Sequence, residues 1–576
     1  MKLLALLTLA LFTGSLQAQV TFNDLLHADQ EPQNWLTYGG TYANQRYSLL
    51  KQVDTQNVKN LQLKWVWRPT DSPAEEKMEC TPIVVNGILY AASLTSVVAL
   101  DAVTGRQYWK FERSFSEDEF PLQRMYMVNK GVGILGNTLY WTTGWNNHLI
   151  ALDASTGRVK WEVEVADWGK GYVMNVPPLL VKNEVIVGTA TDDRGANCFV
   201  AAYDATTGKE LWKTYTAPMS ADDPAAKTWG GDTWKYGGDS IWNNGSYDPE
   251  TNMVFYGTGN PNPVANGSQR SPGSELDNLY SDSVMALDAD TGKLKWYYQF
   301  TPADEYDYDA TQIPVLADID WNGQPRKVMM WANRNGVFYV LDRATGKFLM
   351  GKPFVKVTWM TGFDKNGRPI RVAKYWPKPE DPILISPGGQ GGTNYYPPSY
   401  NPETGLFYLS AWVNYEGFSG KEPIRPWKLN HLYTGGGWWP GFGETGPPPD
   451  WPPAPPRPRL PGTAMRRGSG AYRIPAEGYG AILALDPKTG EQKWEFKMVD
   501  YTECGVLSTA GGVVFGGGKD GIFVALDAKT GNPLWRVNVG YGFQGMGSGP
   551  MTYAVNGKQY VITTGDNTMY AFALPD

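Results

Sequence analysis

Cysteine and histidine are scarce in this chain: there are three of each among 576 residues. None of Cys80, Cys198 and Cys504 sits in a C-x-x-C-H run, so no c-type haem is attached within the chain. His27, His148 and His431 show no metal-ligand spacing, which excludes zinc hydrolases and His-based triads. Excess positive charge is also missing. A formal net charge of -7 argues against nucleic acid as a partner. Beyond the N-terminus no apolar run is long enough to cross a bilayer, so no membrane span is expected. Helical periodicity is sparse while glycine and proline abound, which excludes helical and leucine-rich repeats. Three G-x-G-x-x-G matches, at 441–446, 516–521 and 540–545, open no helix, so the dinucleotide-binding reading fails its context.

What is present is a recurring tag. It reads VVALDAVTGRQYW at Asp101 and returns at Asp153, Asp204, Asp288, Asp342, Asp486 and Asp527. Each copy opens with a strand-like apolar run. The Asp-x-x-Thr-Gly core then makes a tight turn, with Asp bonding backbone N–H groups two residues on and Gly supplying positive φ. A second strand delivers Trp109, Trp161, Trp212, Trp296, Trp494 or Trp535 eight residues after the Asp; Met350 takes that place after Asp342. An indole at a constant offset reads as a rivet between neighbouring units. Degenerate copies at Asp248 and Asn401 keep only the turn. Most tags are spaced by roughly 40–55 residues, room for four short strands. The fold expected is an all-β propeller with tryptophan-docking repeats.

The N-terminus, MKLLALLTLALFTGSLQA, reads as a secretory signal peptide over residues 1–18. Residues 19–576 are then one exported propeller domain, periplasmic in a Gram-negative host. Residues 425–461, rich in Pro, Gly and Trp, form an irregular loop rather than blade strands. That loop could cover a site, dock an acceptor or simply cross the surface.

The tags together with the stretch from Trp242 to Arg343 resemble the PQQ-dependent alcohol dehydrogenases of the methanol/ethanol type. The resemblance implies an eight-bladed propeller with pyrroloquinoline quinone near its axis. Within SIWNNGSYDPETNMVFYGTGN it makes Trp242 the flat floor under the quinone, Ser240 a cofactor contact and Asn260 a metal ligand. In TPADEYDYDATQ it makes Asp307 the catalytic base and a metal contact. Arg334, in WANRNGVF, would contact the quinone oxygens and stabilise the negative charge that develops there. Asn394 and Glu79 match further cofactor contacts.

The chain also departs from the family. Arg124 and Met125 stand where the family often has two adjacent, disulfide-joined cysteines, and Lys130 replaces an arginine as a point charge for a cofactor carboxylate. Asp193 stands for a metal-binding glutamate, a shorter arm that Asp192 could assist, and Glu503 replaces a pocket-lining aromatic. Cys80 and Cys504 neighbour Glu79 and Glu503, and a bridge between them is one pairing open to an exported protein. Asp309 follows Asp307 by two, and on an extended segment both would face the same way. In the family an acid there marks lanthanide users, so a lanthanide is favoured over calcium. A fourth carboxylate around a divalent ion would repel its neighbours.

The function expected is oxidation of a small-molecule alcohol to a carbonyl, using PQQ and one metal ion. Electrons would pass to a soluble cytochrome c or copper protein, and a homodimer is open. Two rivals stand beside this reading: a non-catalytic propeller that binds proteins, and a propeller enzyme without PQQ acting on sulfur compounds.

Overall fold

The computed structural model describes residues 19–69, 78–114, 128–191, 193–378, 383–421, 423–437, 464–465, 471–473, 478–499, 501–540 and 546–576. Residues 1–18, Arg124, Met125, Asp192 and the stretch 438–461 lie outside them, so the readings placed there concern undescribed residues.

The chain folds as an eight-bladed β-propeller. Blade one is a four-stranded antiparallel meander of Ile83–Val85, Ile88–Ala92, Ser96–Asp101 and Gln107–Glu112. Blades two to seven repeat it within residues 133–164, 179–215, 246–299, 315–353, 399–497 and 507–538. Blade eight combines Met551–Val555, Lys558–Gly565 and Thr568–Ala573 with Gln62–Trp67 from the start of the chain. That exchange joins the two ends of the chain in one sheet. The first strand of blade one is wholly buried, while the fourth is exposed or half-buried.

Each tag is the turn between third and fourth strands. The Asp101 Oδ1 accepts the Val103 N–H (3.0 Å), the Thr104 N–H (2.9 Å) and the Thr104 hydroxyl (3.0 Å). Asp204 and Asp527 repeat the same three bonds. The pairing then slips by one residue, Ala99 facing Trp109 and Leu100 facing Gln107. Such a bulge re-aims the strand that carries the indole. The indoles reach the next tag: Trp109 Nε1 donates to the Ala154 carbonyl (3.0 Å), Trp161 to Ala205 (3.1 Å), Trp212 to Ala289 (2.9 Å). The next tag's glycine lies against the ring. A Cβ on Gly157 would sit 2.6 Å from Trp109, and one on Gly208 2.8 Å from Trp161. Glycine is therefore required twice, for positive φ and for contact.

The exceptions follow the sequence. Arg343 occupies the alanine place in the tag at Asp342, and there the Trp296 Nε1 is buried without a hydrogen-bond partner among the described residues. Met350 takes the indole's place, its Sδ 3.2 Å from where a Gly490 Cβ would be. The degenerate copies at Asp248 and Asn401 are turns between first and second strands of blades four and six, so they mark no additional blade. Blade eight has no tag. Its rivet is Trp65, whose Nε1 donates to the Ala102 carbonyl at 3.2 Å. Gly516–Gly521 turns between Val513–Gly517 and Ile522–Asp527, again without a helix. No helix among the described residues is long and apolar enough to cross a membrane.

The cysteine pairing left open by the sequence is not formed. Cys80, Cys198 and Cys504 are buried thiols and no disulfide joins them. Cys80 Sγ instead accepts the Ala92 N–H at 3.3 Å, and burial pushes the Cys504 thiol up to about 12.

Candidate active site

The ten residues singled out for the site come from two kinds of loop. Glu79, Lys130, Ser240, Trp242, Asp307, Asp309 and Asn394 precede the first strand of a blade; Asp193, Asn260 and Arg334 join a second strand to a third. In an antiparallel meander both loops fall at the same end of the sheet, opposite the tag turns. The repeat thus gathers residues from distant parts of the chain.

At the acidic centre, Arg334 donates through Nη2 to Asp307 and through Nη1 to Asp309. Its Nε donates to the Gly389 carbonyl at 2.7 Å. The Asp309 Oδ1 also accepts the Asn260 N–H (2.8 Å), and Asn260 Nδ2 donates to Asp193 Oδ1 (2.9 Å). Arg334, Asp309, Asn260 and Asp193 therefore form one continuous network, with Asp307 on its arginine. Burial raises the Asp307 carboxyl well above the usual range; Arg334 opposes this, while Asp309 and Asp193 add to it. Burial likewise lifts Asp309 to about 6. The expected extended segment is not found. Asp307 adopts φ 66 and Asp193 φ 58, a left-handed conformation that aspartate tolerates better than most residues. Asp307 and Asp309 nevertheless converge, because each reaches a different nitrogen of one guanidinium.

The second part of the site is aromatic and cationic. Lys130 Nζ meets Glu79 Oε2 at 2.8 Å, with both side chains buried. The ammonium lies 5.4 Å from the Trp242 ring centroid and 5.1 Å from that of Tyr395. Trp242 is half-buried and tilted 57° to Tyr395, at 6.0 Å. Asn394 connects the two parts: its Nδ2 donates to the Gln390 carbonyl beside Gly389, and its Oδ1 accepts the Tyr395 N–H. The Ser240 hydroxyl accepts the Thr191 N–H at 3.1 Å, two residues before Asp193. Glu503, half-buried, acts with Glu79 on the Tyr395 phenol, whose pKa burial already pushes well up.

Sequence reasoning missed several participants. Asn262 Nδ2 donates to Asp193 Oδ1 at 3.1 Å, and Tyr395 faces Lys130 from GGTNYYPPS. Gly259 is a close approach, since a Cβ there would lie 2.5 Å from Asp309 Oδ1. The described part of the 425–461 loop lies on the loop that carries Asp193. The Tyr433 N–H donates to the Asp193 carbonyl (2.6 Å) and Trp427 Nε1 to the Arg194 carbonyl (2.9 Å). Trp427 also stacks on Tyr236 at 4.7 Å.

A family model described as glucose/ethanol/alcohol dehydrogenase, beta-propeller domain, under the name PQQ, matches residues 35–358. The chain is 36% identical to a quinohemoprotein alcohol dehydrogenase of Comamonas testosteroni over 94% of its own length and 74% of that protein's. The chain belongs to the PQQ-dependent alcohol dehydrogenases. It is also 32% identical to a lanthanide-dependent methanol dehydrogenase of Methylacidiphilum fumariolicum, covering 95% of this chain and 87% of that one. The solved quinohemoprotein alcohol dehydrogenase ADHIIG of Pseudomonas putida superposes with a TM-score of 0.83 at 33% identity, over 97% of this chain and 82% of the other. A second model, outer membrane protein assembly factor BamB, matches only residues 478–576, where two tags lie. The non-catalytic and sulfur-compound readings give way to this dehydrogenase assignment.

The residues of the dehydrogenase fit the groups its family uses. Among the described residues no three Asp, Glu, His or Cys side chains are gathered so as to hold a metal ion unaided. The donor set here is mixed, and Arg334 supplies the positive charge between Asp307 and Asp309. No described donor reaches Asp307 Oδ1, Asp193 Oδ2 or Asn260 Oδ1, which leaves three hard oxygen acceptors for a cation. The half-exposed Trp242 face and the buried Lys130–Glu79 pair suit a planar, anionic cofactor.

Proposed function

We propose that this chain is an exported, periplasmic quinoprotein that oxidises an alcohol group to a carbonyl, with Asp307 as the base. What supports the reading most is the convergence of Asp307 and Asp309 on Arg334, joined through Asn260 to Asp193, beside the Trp242 ring. Trp242 is the floor for PQQ, with Lys130, Glu79, Ser240 and Asn394 around it. Asp193, Asn260, Asp307 and Asp309 hold the metal ion. When bound, PQQ would supply the hydride acceptor and the ion Lewis acidity. Asp307 takes the substrate hydroxyl proton on a carboxylate oxygen; the rings of His27, His148 and His431 are engaged with Asn23, Glu162 and Leu429, so a carboxylate is the base available. Arg334 keeps that carboxylate oriented and lowers its proton affinity, as a base must be ionised to act. Glu503 makes the surroundings acidic and favours a substrate more polar than a simple alkanol. Electrons leave to a separate soluble cytochrome c or copper protein.

The ion is a lanthanide in preference to calcium. Asp307 and Asp309 share one guanidinium, and Asp309 and Asp193 both add to the negative charge felt at Asp307. A trivalent ion relieves more of that repulsion. Metal-free protein reconstituted with PQQ and lanthanum or calcium, with and without Asp309→Ala, tests this. Higher turnover with lanthanum, lost in Asp309→Ala, is expected. Full activity with calcium, no gain from lanthanum and indifference to Asp309→Ala would reject it.

A further inference from the structure

Behind the segment that presents Asn260 lie two aspartates with no part in the chemistry above. The Asp239 N–H donates to the Asn260 carbonyl (3.2 Å), and the Asp282 N–H donates to the Gly259 carbonyl (2.9 Å). Two chain segments thus grip consecutive peptide groups. Both side chains are 0% exposed, and none of their four carboxyl oxygens has a hydrogen-bond partner among the described residues. Arg270 is the cation that acts on both. Its donors are used elsewhere, on the carbonyls of Pro263, Val264 and Asp304 and on Asn278 Oδ1. A third orphan lies close by. Gln299 Nε2 donates to the Ser281 carbonyl (3.0 Å), while its Oε1 is buried without a partner. The next residue, Phe300, donates its N–H to the Asp282 carbonyl at 2.8 Å.

Buried carboxylates are paired with a cation or coordinate a metal. We propose that Asp239 and Asp282 hold a second cation of the calcium type, separate from the ion at Asp193, Asn260, Asp307 and Asp309. Two carboxylates neutralise a divalent ion. The two carboxylates offer hard oxygens; the Cys198 thiol is near enough to feel Asp239, but its Sγ is engaged with Ser240 Oγ and the Ala196 carbonyl. The place is closed to solvent, which favours calcium over magnesium, an ion that sheds its water reluctantly. The bound ion ties the two segments that flank Gly259–Asn260 and so steadies the backbone that carries Asn260. Only that last consequence rests on the proposed role of Asn260; the site itself does not.

The test is a metal count on holoprotein produced with calcium, dialysed exhaustively and analysed by mass spectrometry. The Asp239→Asn/Asp282→Asn variant is expected to carry one cation per chain fewer than the wild type and to lose calcium-dependent thermal stabilisation. Equal counts would overturn the proposal, the two acids then being neutral carboxyls. Asp193→Ala removes the other ion, so a failure of the active-site reading shows as an unchanged count in that variant instead. Anomalous diffraction from wild-type crystals grown with calcium answers the question even if the variant does not fold. A peak between the two carboxyls supports the site, and its absence overturns it.

Discussion

The rivet between blades can be tested by adding a single methyl group. Gly208 has φ +72, and its Cβ would lie 2.8 Å from the Trp161 ring, whose Nε1 donates to the Ala205 carbonyl at 3.1 Å. Gly557 has φ +78, with nothing within 4 Å of its Cβ position. Alanine at either place meets the left-handed penalty of roughly 1–2 kcal/mol. Gly208→Ala must in addition displace a half-buried indole, an overpacking cost of typically about 1–3 kcal/mol. The expected losses are therefore about 1–2 kcal/mol for Gly557→Ala and about 2–5 kcal/mol for Gly208→Ala. Urea unfolding of both variants with the wild type, followed by tryptophan fluorescence, measures the difference. Equal losses would refute the idea that the tag glycine is needed for contact as well as for φ.

Replacing Trp242 by Ala should weaken PQQ binding by roughly tenfold or more while the blades stay folded, since a stacked aromatic pair contributes about 0.5–1.5 kcal/mol beyond area burial; a fluorescence titration with unchanged affinity would remove the stacking role. The Asp204 turn predicts acid sensitivity. The hydrogen bond from the Thr207 hydroxyl holds that carboxyl below its usual value. A group whose folded pKa is depressed contributes stability above its unfolded pKa, near 4, and that stability is lost as pH falls through the folded value. The gap in stability between wild type and Asp204→Ala should therefore narrow below about pH 4, and a gap that is constant with pH would contradict the assignment.

The blades were legible because their signal is local. Asp, Thr, Gly and Trp of each tag lie within a dozen residues, and each has a task that turn geometry or indole packing dictates. The eighth blade carries no tag and was expected only through the family resemblance, because its rivet, Trp65, lies far in sequence from the strands it joins. Site residues could be assigned only through resemblance, since nothing local sets Asp307 apart from Asp304 or Glu305. Their convergence depends on loops from different blades meeting at one end. Asn262 and Tyr395 were missed because their roles are contacts across blades. The extended reading of Asp307–Asp309 failed because periodicity cannot reveal a left-handed residue. Asp239 and Asp282 carried no signal at all, as burial of a carboxyl without a partner is visible only in three dimensions.

The most direct measurement is dye-linked alcohol oxidation by metal-free protein given PQQ and metal ion together, each alone, and NAD instead of PQQ, for the wild type and Asp307→Asn. The account predicts turnover only with PQQ and metal together, none with NAD, and none for Asp307→Asn although the variant folds and binds PQQ. Near-normal turnover by Asp307→Asn, or no alcohol oxidation by fully loaded wild type with any of a panel of small and polar alcohols, would contradict it.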